Sequence, residues 1–132
     1  MAVDFPSEEF ARRLCEELNK NERYRRAARG WRWPILFRVE GPQASVGFIL
    51  DLHEGECRGY KWLEDASHAQ ADYILAAPLE VWLDVISGKA HPMKALLARR
   101  IKLEKGSYST IARYTIAALE ITKSAKKVLE EG

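Results

Sequence analysis

The sequence predicts an α+β fold: a five-stranded, mostly antiparallel sheet covered by helices on one face, closed by a long C-terminal helix. Three observations predict it. Apolar residues recur at helical spacing through the first thirty positions and again after residue 78. Between them, residues 33–78 switch to a period of two. Turn signals separate neighbouring period-two runs, so the strands pair locally and the helices collect on the apolar side of the sheet.

The elements follow in order. Ser7 is placed to cap a first helix, with Glu8 and Glu9 in its first turn where the helix dipole favours negative charge. Phe10, Leu14, Cys15 and Leu18 form its apolar stripe, and it ends near Asn19. Asn21 caps a second, short helix that closes at Gly30, with Tyr24, Ala27, Ala28 and Trp31 on one stripe. From Trp33 onwards Trp33, Ile35, Phe37 and Val39 alternate against Pro34, Leu36, Arg38 and Glu40. Val46, Phe48, Leu50 and Leu52 share one face of the next strand, and "CRGYKWLE" and "ADYILAAP" supply two more. Gly41-Pro42 and the stretch 53–56 are turns, which makes the first three strands an antiparallel meander. Pro78 suits the first position of a mostly apolar helix that Gly88 stops, and Pro92 opens a short helix through Leu97. "RIKLEKG" is the fifth strand. Ser107 or Ser109 then caps a single helix reaching about Leu129, whose stripe is Ile111, Tyr114, Ala118, Ile121, Ala125, Val128 and Leu129. Glu120 falls on its opposite, solvent side, and Ile116 and Leu119 fall off the stripe.

Length and composition bound the function. At 132 residues with 47% hydrophobic and 30% charged residues, the expected organisation is one domain over 1–132. The start lacks the basic and apolar pattern of a signal peptide, and no apolar run reaches the roughly 20 residues that span a bilayer. Cys15 and Cys57 can form one disulfide, but two free thiols in a reducing cytoplasm is the favoured reading, and the expected location is cytoplasmic.

The net charge of +2 conceals two basic segments. Residues 21–40 hold six arginines against two glutamates, and residues 88–107 hold six cations against Glu104. In "NERYRRAARGWRWP" the arginines lie off the stripe of Tyr24 and Trp31. A solvated helix face is therefore favoured over an anionic membrane contact, and both over nucleic acid, which would need arginines and aromatics displayed together. No nucleic-acid partner is expected.

Chemistry is sparse. His53, His68 and His91 are isolated in sequence, and "DLHEGEC" offers metal-type side chains at a hairpin end without a second ligand pair. No phosphate-binding loop, dinucleotide fingerprint or nucleophile elbow occurs. The expectation is a protein that is not an enzyme, with no cofactor and no metal site.

"DFPSEEFARRLCEELNKNERYRRAARGW" followed by a strand resembles the opening of sterol carrier protein-2 domains. So does the run from Ala71 to Tyr114, through Asp72, Trp82, Gly88, Lys89, Met93 or Leu97, and Ile101-Lys102-Leu103. It departs from the family pattern at Arg99, where a glycine is usual, and at Lys105 to Ser107. The resemblance implies an apolar tunnel between sheet and helices that binds or transfers a long-chain lipid (fatty acid, acyl-CoA, sterol or isoprenoid) without catalysis. The tunnel wall is expected to include Trp62, Tyr73, Leu75, Trp82, Ile86, Met93, Leu97, Leu103, Ile111, Tyr114 and Leu119, with Arg99, Arg100 or Lys102 meeting a headgroup. The expected partners are a lipid or fatty acyl ligand and, transiently, an anionic membrane surface. The alternative is an interaction module that uses the patch around Ile116 and Leu119 to dock a partner protein or form a homodimer.

Overall fold

The computed structural model describes residues 3–131. Helices α1 (Glu8–Lys20) and α2 (Glu22–Ala27) precede strands β1 (Ile35–Glu40), β2 (Ser45–His53), β3 (Glu56–Leu63) and β4 (Tyr73–Pro78). Then come α3 (Leu79–Ser87), α4 (Pro92–Leu97), β5 (Lys102–Lys105), α5 (Tyr108–Ala112) and α6 (Thr115–Glu131).

The caps explain where the helices start. The Ser7 hydroxyl accepts from the Phe10 amide at 3.1 Å, and the Asn21 side chain accepts from the Tyr24 amide at 2.9 Å. His91 caps α4 through Nδ1, and Ser107 caps α5. One expectation fails here. The C-terminal segment is two helices rather than one, because Arg113 and Tyr114 form a tighter turn in which their amides donate to Thr110 and Ile111. The break lets the Tyr114 ring meet Trp31 at 5.2 Å.

The sheet order is β3-β2-β1-β4-β5, with the meander β1–β2–β3 antiparallel as the alternation predicts. β4 lies beside β1 and runs parallel to it, pairing Ile35 with Tyr73 and Phe37 with Leu75. Residues 64–72 make this crossover along the face away from the helices, where Ala66 packs with Leu36 and Ile74. That segment is held by Arg38, which is 8% exposed. Its Nε donates to the Ala66 carbonyl at 3.0 Å, and its Nη1 meets both Glu104 oxygens at 2.8 and 2.7 Å. Ile35, Phe37, Val39, Phe48, Leu50 and Leu52 point to the other face and join the main core under the helices.

Glu120 corrects a second expectation, being 4% exposed rather than on the solvent side of its helix. α6 packs along α1 and α2 as well as α3 and α4, so two flanks are covered. The carboxylate is satisfied by Asn21 Nδ2 at 3.2 Å, Lys123 at 3.3 Å and Arg23 at 3.6 Å. The third correction concerns the cysteines. Cys15 and Cys57 form a disulfide joining α1 to the start of β3, so neither is a free thiol, and one ground for expecting a reducing cytoplasm falls. Asn19 reinforces the junction, its amide accepting from the Cys57 amide at 2.8 Å and donating to the Cys57 carbonyl at 2.9 Å. No helix among the described residues is long and apolar enough to cross a membrane.

Joining positions 42 apart in sequence, the cross-link should add about 4 kcal/mol by restricting the unfolded chain. Urea unfolding with and without a reducing agent is expected to show a loss of that order, and the Cys15→Ser, Cys57→Ser double variant should match the reduced protein.

Candidate functional site

The helical layer and the sheet do not close on each other completely. A cavity of about 120 Å³ lies between them. Its floor is Ile35, Phe37, Phe48, Leu52 and Leu75 from β1, β2 and β4. Phe10 and Leu14 of α1 and Tyr24, Ala28 and Trp31 in and after α2 close one side. Trp82 and Ile86 of α3, with Pro92, Met93 and Leu96 of α4, close the opposite side. Ile111 and Tyr114 stand at one end, and α6 forms the roof with Ala117, Ala118, Ile121, Thr122 and Ala125. Protein interiors hold few voids larger than one water. An apolar cavity of about 150 Å³ is large enough to stay dry and admit benzene. The lining carries no charged side chain. It runs from sealed residues such as Phe10 and Leu52 to half-buried ones on several sides, Phe5, Leu75, Pro92, Tyr114 and Ile121 among them.

The sequence-derived wall divides on inspection of the fold. Leu75, Trp82, Ile86, Met93, Ile111 and Tyr114 line the cavity. Trp62 is outside it, half-buried on β3 with its indole donating to Glu64 at 2.8 Å. Tyr73 is buried in an aromatic cluster, 4.7 Å from Trp31 and 5.7 Å from Trp33. Its ring packs against Gly106, where an added Cβ would collide with it. Leu103 and Leu119 are half-buried away from the cavity, and Leu97 is 71% exposed at the end of α4. Of the three cations expected at a mouth, Arg100 is paired with Asp84 at 2.9 Å, while Arg99 and Lys102 are exposed. These cations flank Ile101, which does line the cavity. Arg99 has φ 61°, the left-handed position after a helix that glycine fills without strain.

The wall residues missed from sequence are mainly those of α1, α2 and the sheet floor: Phe10, Leu14, Tyr24, Ala28, Trp31, Phe37, Phe48 and Leu52. Each lies on an apolar stripe, and a cavity wall has the same periodicity as a filled core.

The basic stretch after Asn21 separates into distinct roles. Arg25 reaches Glu56 at 3.9 Å and Arg32 reaches Glu54 at 2.9 Å, so the acidic β2–β3 hairpin docks against the end of α2. The hairpin's carboxylates are thereby engaged with arginines: Asp51 also pairs, with Arg58 at 3.2 Å. Arg26 and Arg29 are exposed and have no carboxylate partner among the described residues. α2 runs alongside α6 in the opposite direction, with Asn21 at Glu120 and Ser124 and Gly30 at the Tyr114 hydroxyl. The end of α2 that carries Arg26 and Arg29 therefore flanks the first turn of α6, where Ile116 is 59% exposed.

The family model described as the SCP-2 sterol transfer family matches residues 11–107. A crystal structure of a sterol carrier protein 2 is 35% identical and superposes with a TM-score of 0.89, covering 95% of this chain and 99% of that one. The solution structure of a conserved hypothetical protein from Thermus thermophilus is also 35% identical, with a TM-score of 0.86 over 95% of this chain and 90% of that one. The fold is shared with palmitated SCP2L2 from Aedes aegypti at 18% identity, with a TM-score of 0.58 and coverage of 93% and 96%. No curated protein matches the sequence.

The Gly30 amide and then Arg32 hold the Glu54 carboxyl below its ordinary range. A depressed folded pKa gives stability that is present above the ordinary carboxylate range and lost as acid protonates the group. Glu54→Gln is therefore expected to melt below wild type at neutral pH, with the difference closing as the pH falls through the acid range.

Proposed function

The chain belongs to the SCP-2 sterol transfer family, and we propose that it carries a long-chain lipid in the cavity between sheet and helices, without chemistry. The observation that supports this reading is the uncharged, apolar-walled space under α6. A charge-free wall selects by partition, each buried CH₂ contributing about 0.8 kcal/mol. Sixteen carbons give about 12 kcal/mol before the cost of association and chain ordering, itself about 4–15 kcal/mol. The balance suits a cargo that has to be released.

A cavity of about 120 Å³ does not hold a long chain as it stands, so uptake parts the wall. Alanines at 28, 117, 118 and 125 keep the walls of α2 and α6 low, and Leu75, Trp82, Ile86, Met93, Ile111 and Tyr114 would border the chain. Arg99, Arg100 or Lys102 would meet an anionic headgroup that stays outside.

Loading and unloading would take place against an anionic bilayer. The supporting feature is the surface of Arg26 and Arg29 beside exposed Ile116, with Leu119 half-buried on the same helix. Cations near an anionic leaflet gain about 1 kcal/mol each, and a projecting apolar side chain enters the headgroup layer.

Two measurements test these assignments. Titration with hexadecanoate, read by the fluorescence of Trp31 and Trp82, is expected to saturate, and Ala125→Leu should weaken binding at least tenfold without lowering the melting temperature. Equal binding by both proteins removes the cavity as the site. Vesicles containing phosphatidylserine should bind the protein in low salt and release it in high salt. Reversing charge in Arg26→Glu, Arg29→Glu should reduce that binding by more than about tenfold. If instead the double variant binds vesicles normally, or the wild type dimerises through this face, the membrane assignment fails.

A further inference from the structure

Tyr24 is 1% exposed, yet it borders the cavity. Its amide is used in the cap by Asn21, but its hydroxyl makes no hydrogen bond with any described residue, a condition rare for a buried phenol. Of the other polar side chains around the space, three are paired, and the half-buried Tyr114 hydroxyl, like that of Tyr24, has no hydrogen-bond partner among the described residues. The Trp31 indole donates to the Trp33 carbonyl at 2.7 Å, the Trp82 indole to the Arg38 carbonyl at 2.9 Å, and the Thr122 hydroxyl to the Leu119 carbonyl at 2.7 Å. The Tyr114 side chain is half-buried, with its hydroxyl beside the turn at Gly30. Among the described residues, no side-chain oxygen or nitrogen sealed from open space lacks a partner. The unpaired Tyr24 oxygen therefore borders open volume, and the residue itself lines the cavity.

Chemistry narrows what could meet it. Burial pushes the phenol well above its ordinary pKa, so the group is a neutral hydroxyl that can donate one hydrogen bond and accept others. No cation lines the space to neutralise a carboxylate or phosphate brought inside. Phenylalanine would fill the same volume without an unpaired hydroxyl, so the oxygen makes sense as a ligand contact.

We infer that Tyr24 determines specificity in the cavity by hydrogen bonding to a neutral oxygen — an alcohol, ketone or ester — at the buried end of the cargo. This rests on the carrier reading above and refines it. A lipid with such an oxygen enters oxygen first, whereas a fatty acid enters methyl first, leaves its carboxylate at the surface, and gains nothing from Tyr24.

The test compares 1-decanol with decanoate, which have equal chain length, in wild type and Tyr24→Phe, again by fluorescence of Trp31 and Trp82. Tyr24→Phe is expected to melt at or above the wild-type temperature, bind decanoate unchanged, and bind 1-decanol about five- to tenfold more weakly, the worth of one hydrogen bond. Equal losses for both ligands, or no loss for either, overturns the role of Tyr24 and leaves the carrier reading standing. If wild type binds neither ligand, both fall. A second measurement does not depend on the variant folding: in protein labelled with ¹³C at tyrosine Cζ, the Tyr24 resonance should shift with 1-decanol and stay in place with decanoate. The same shift with both ligands would count against the assignment.

Discussion

Asn21 and Glu120 decide where three helices meet. The Asn21 amide closes the end of α1 on the Leu18 carbonyl, and its side-chain oxygen opens α2 on the Tyr24 amide. Its side-chain nitrogen then reaches Glu120 at 3.2 Å and Ser124 at 3.0 Å on α6. One residue thus ends a helix, starts the next and binds a third. Glu120 makes the junction exacting, because a buried carboxylate is tolerated only where donors converge on it. The angle between α1 and α2, and the height of α6 over the sheet, follow from that convergence. The cavity is what this arrangement leaves unfilled, and Tyr24 owes its position to the same cap.

The sheet side has its own fixed point. Arg38 sits on the central strand β1, spans β4 to grip Glu104 on β5, and fastens the crossover segment through Ala66. Its own carbonyl receives the Trp82 indole from α3. The two layers are therefore each tied by a polar cluster while the space between them is apolar. Between the layers run the Trp82–Arg38 hydrogen bond and the Cys15–Cys57 link, and the rest of the interior is packing.

Much of this was legible in the sequence where local rules govern. The Ser7 and Asn21 caps, the period-two runs of β1 and β2, and the stop at Gly88 all act within a few residues, and the structure places them as the residues imply. What escaped was set by distant neighbours. Glu120 looked solvent-facing on a helical wheel, because nothing local reveals that α2 will cover that flank. The pairing of Cys15 with Cys57 needs α1 laid across β3, and the parallel placement of β4 needs a crossover that alternation does not encode. The turn at Arg113 and Tyr114 carries neither glycine nor proline to announce it. For the site itself, Leu97 and Phe10 show the limit. Both are apolar residues on plausible stripes, yet the first faces outward and the second lines the cavity.

The link between Cys15 and Cys57, with Asn19 clasping the Cys57 backbone, fastens only one flank of the helical layer. The opposite side is closed by α3 and by α4, the latter six residues long and too short to be stable as a helix without the packing around it. Placing the sulfurs on α1 and β3 makes that edge covalent and leaves the α4 edge held by noncovalent contacts alone.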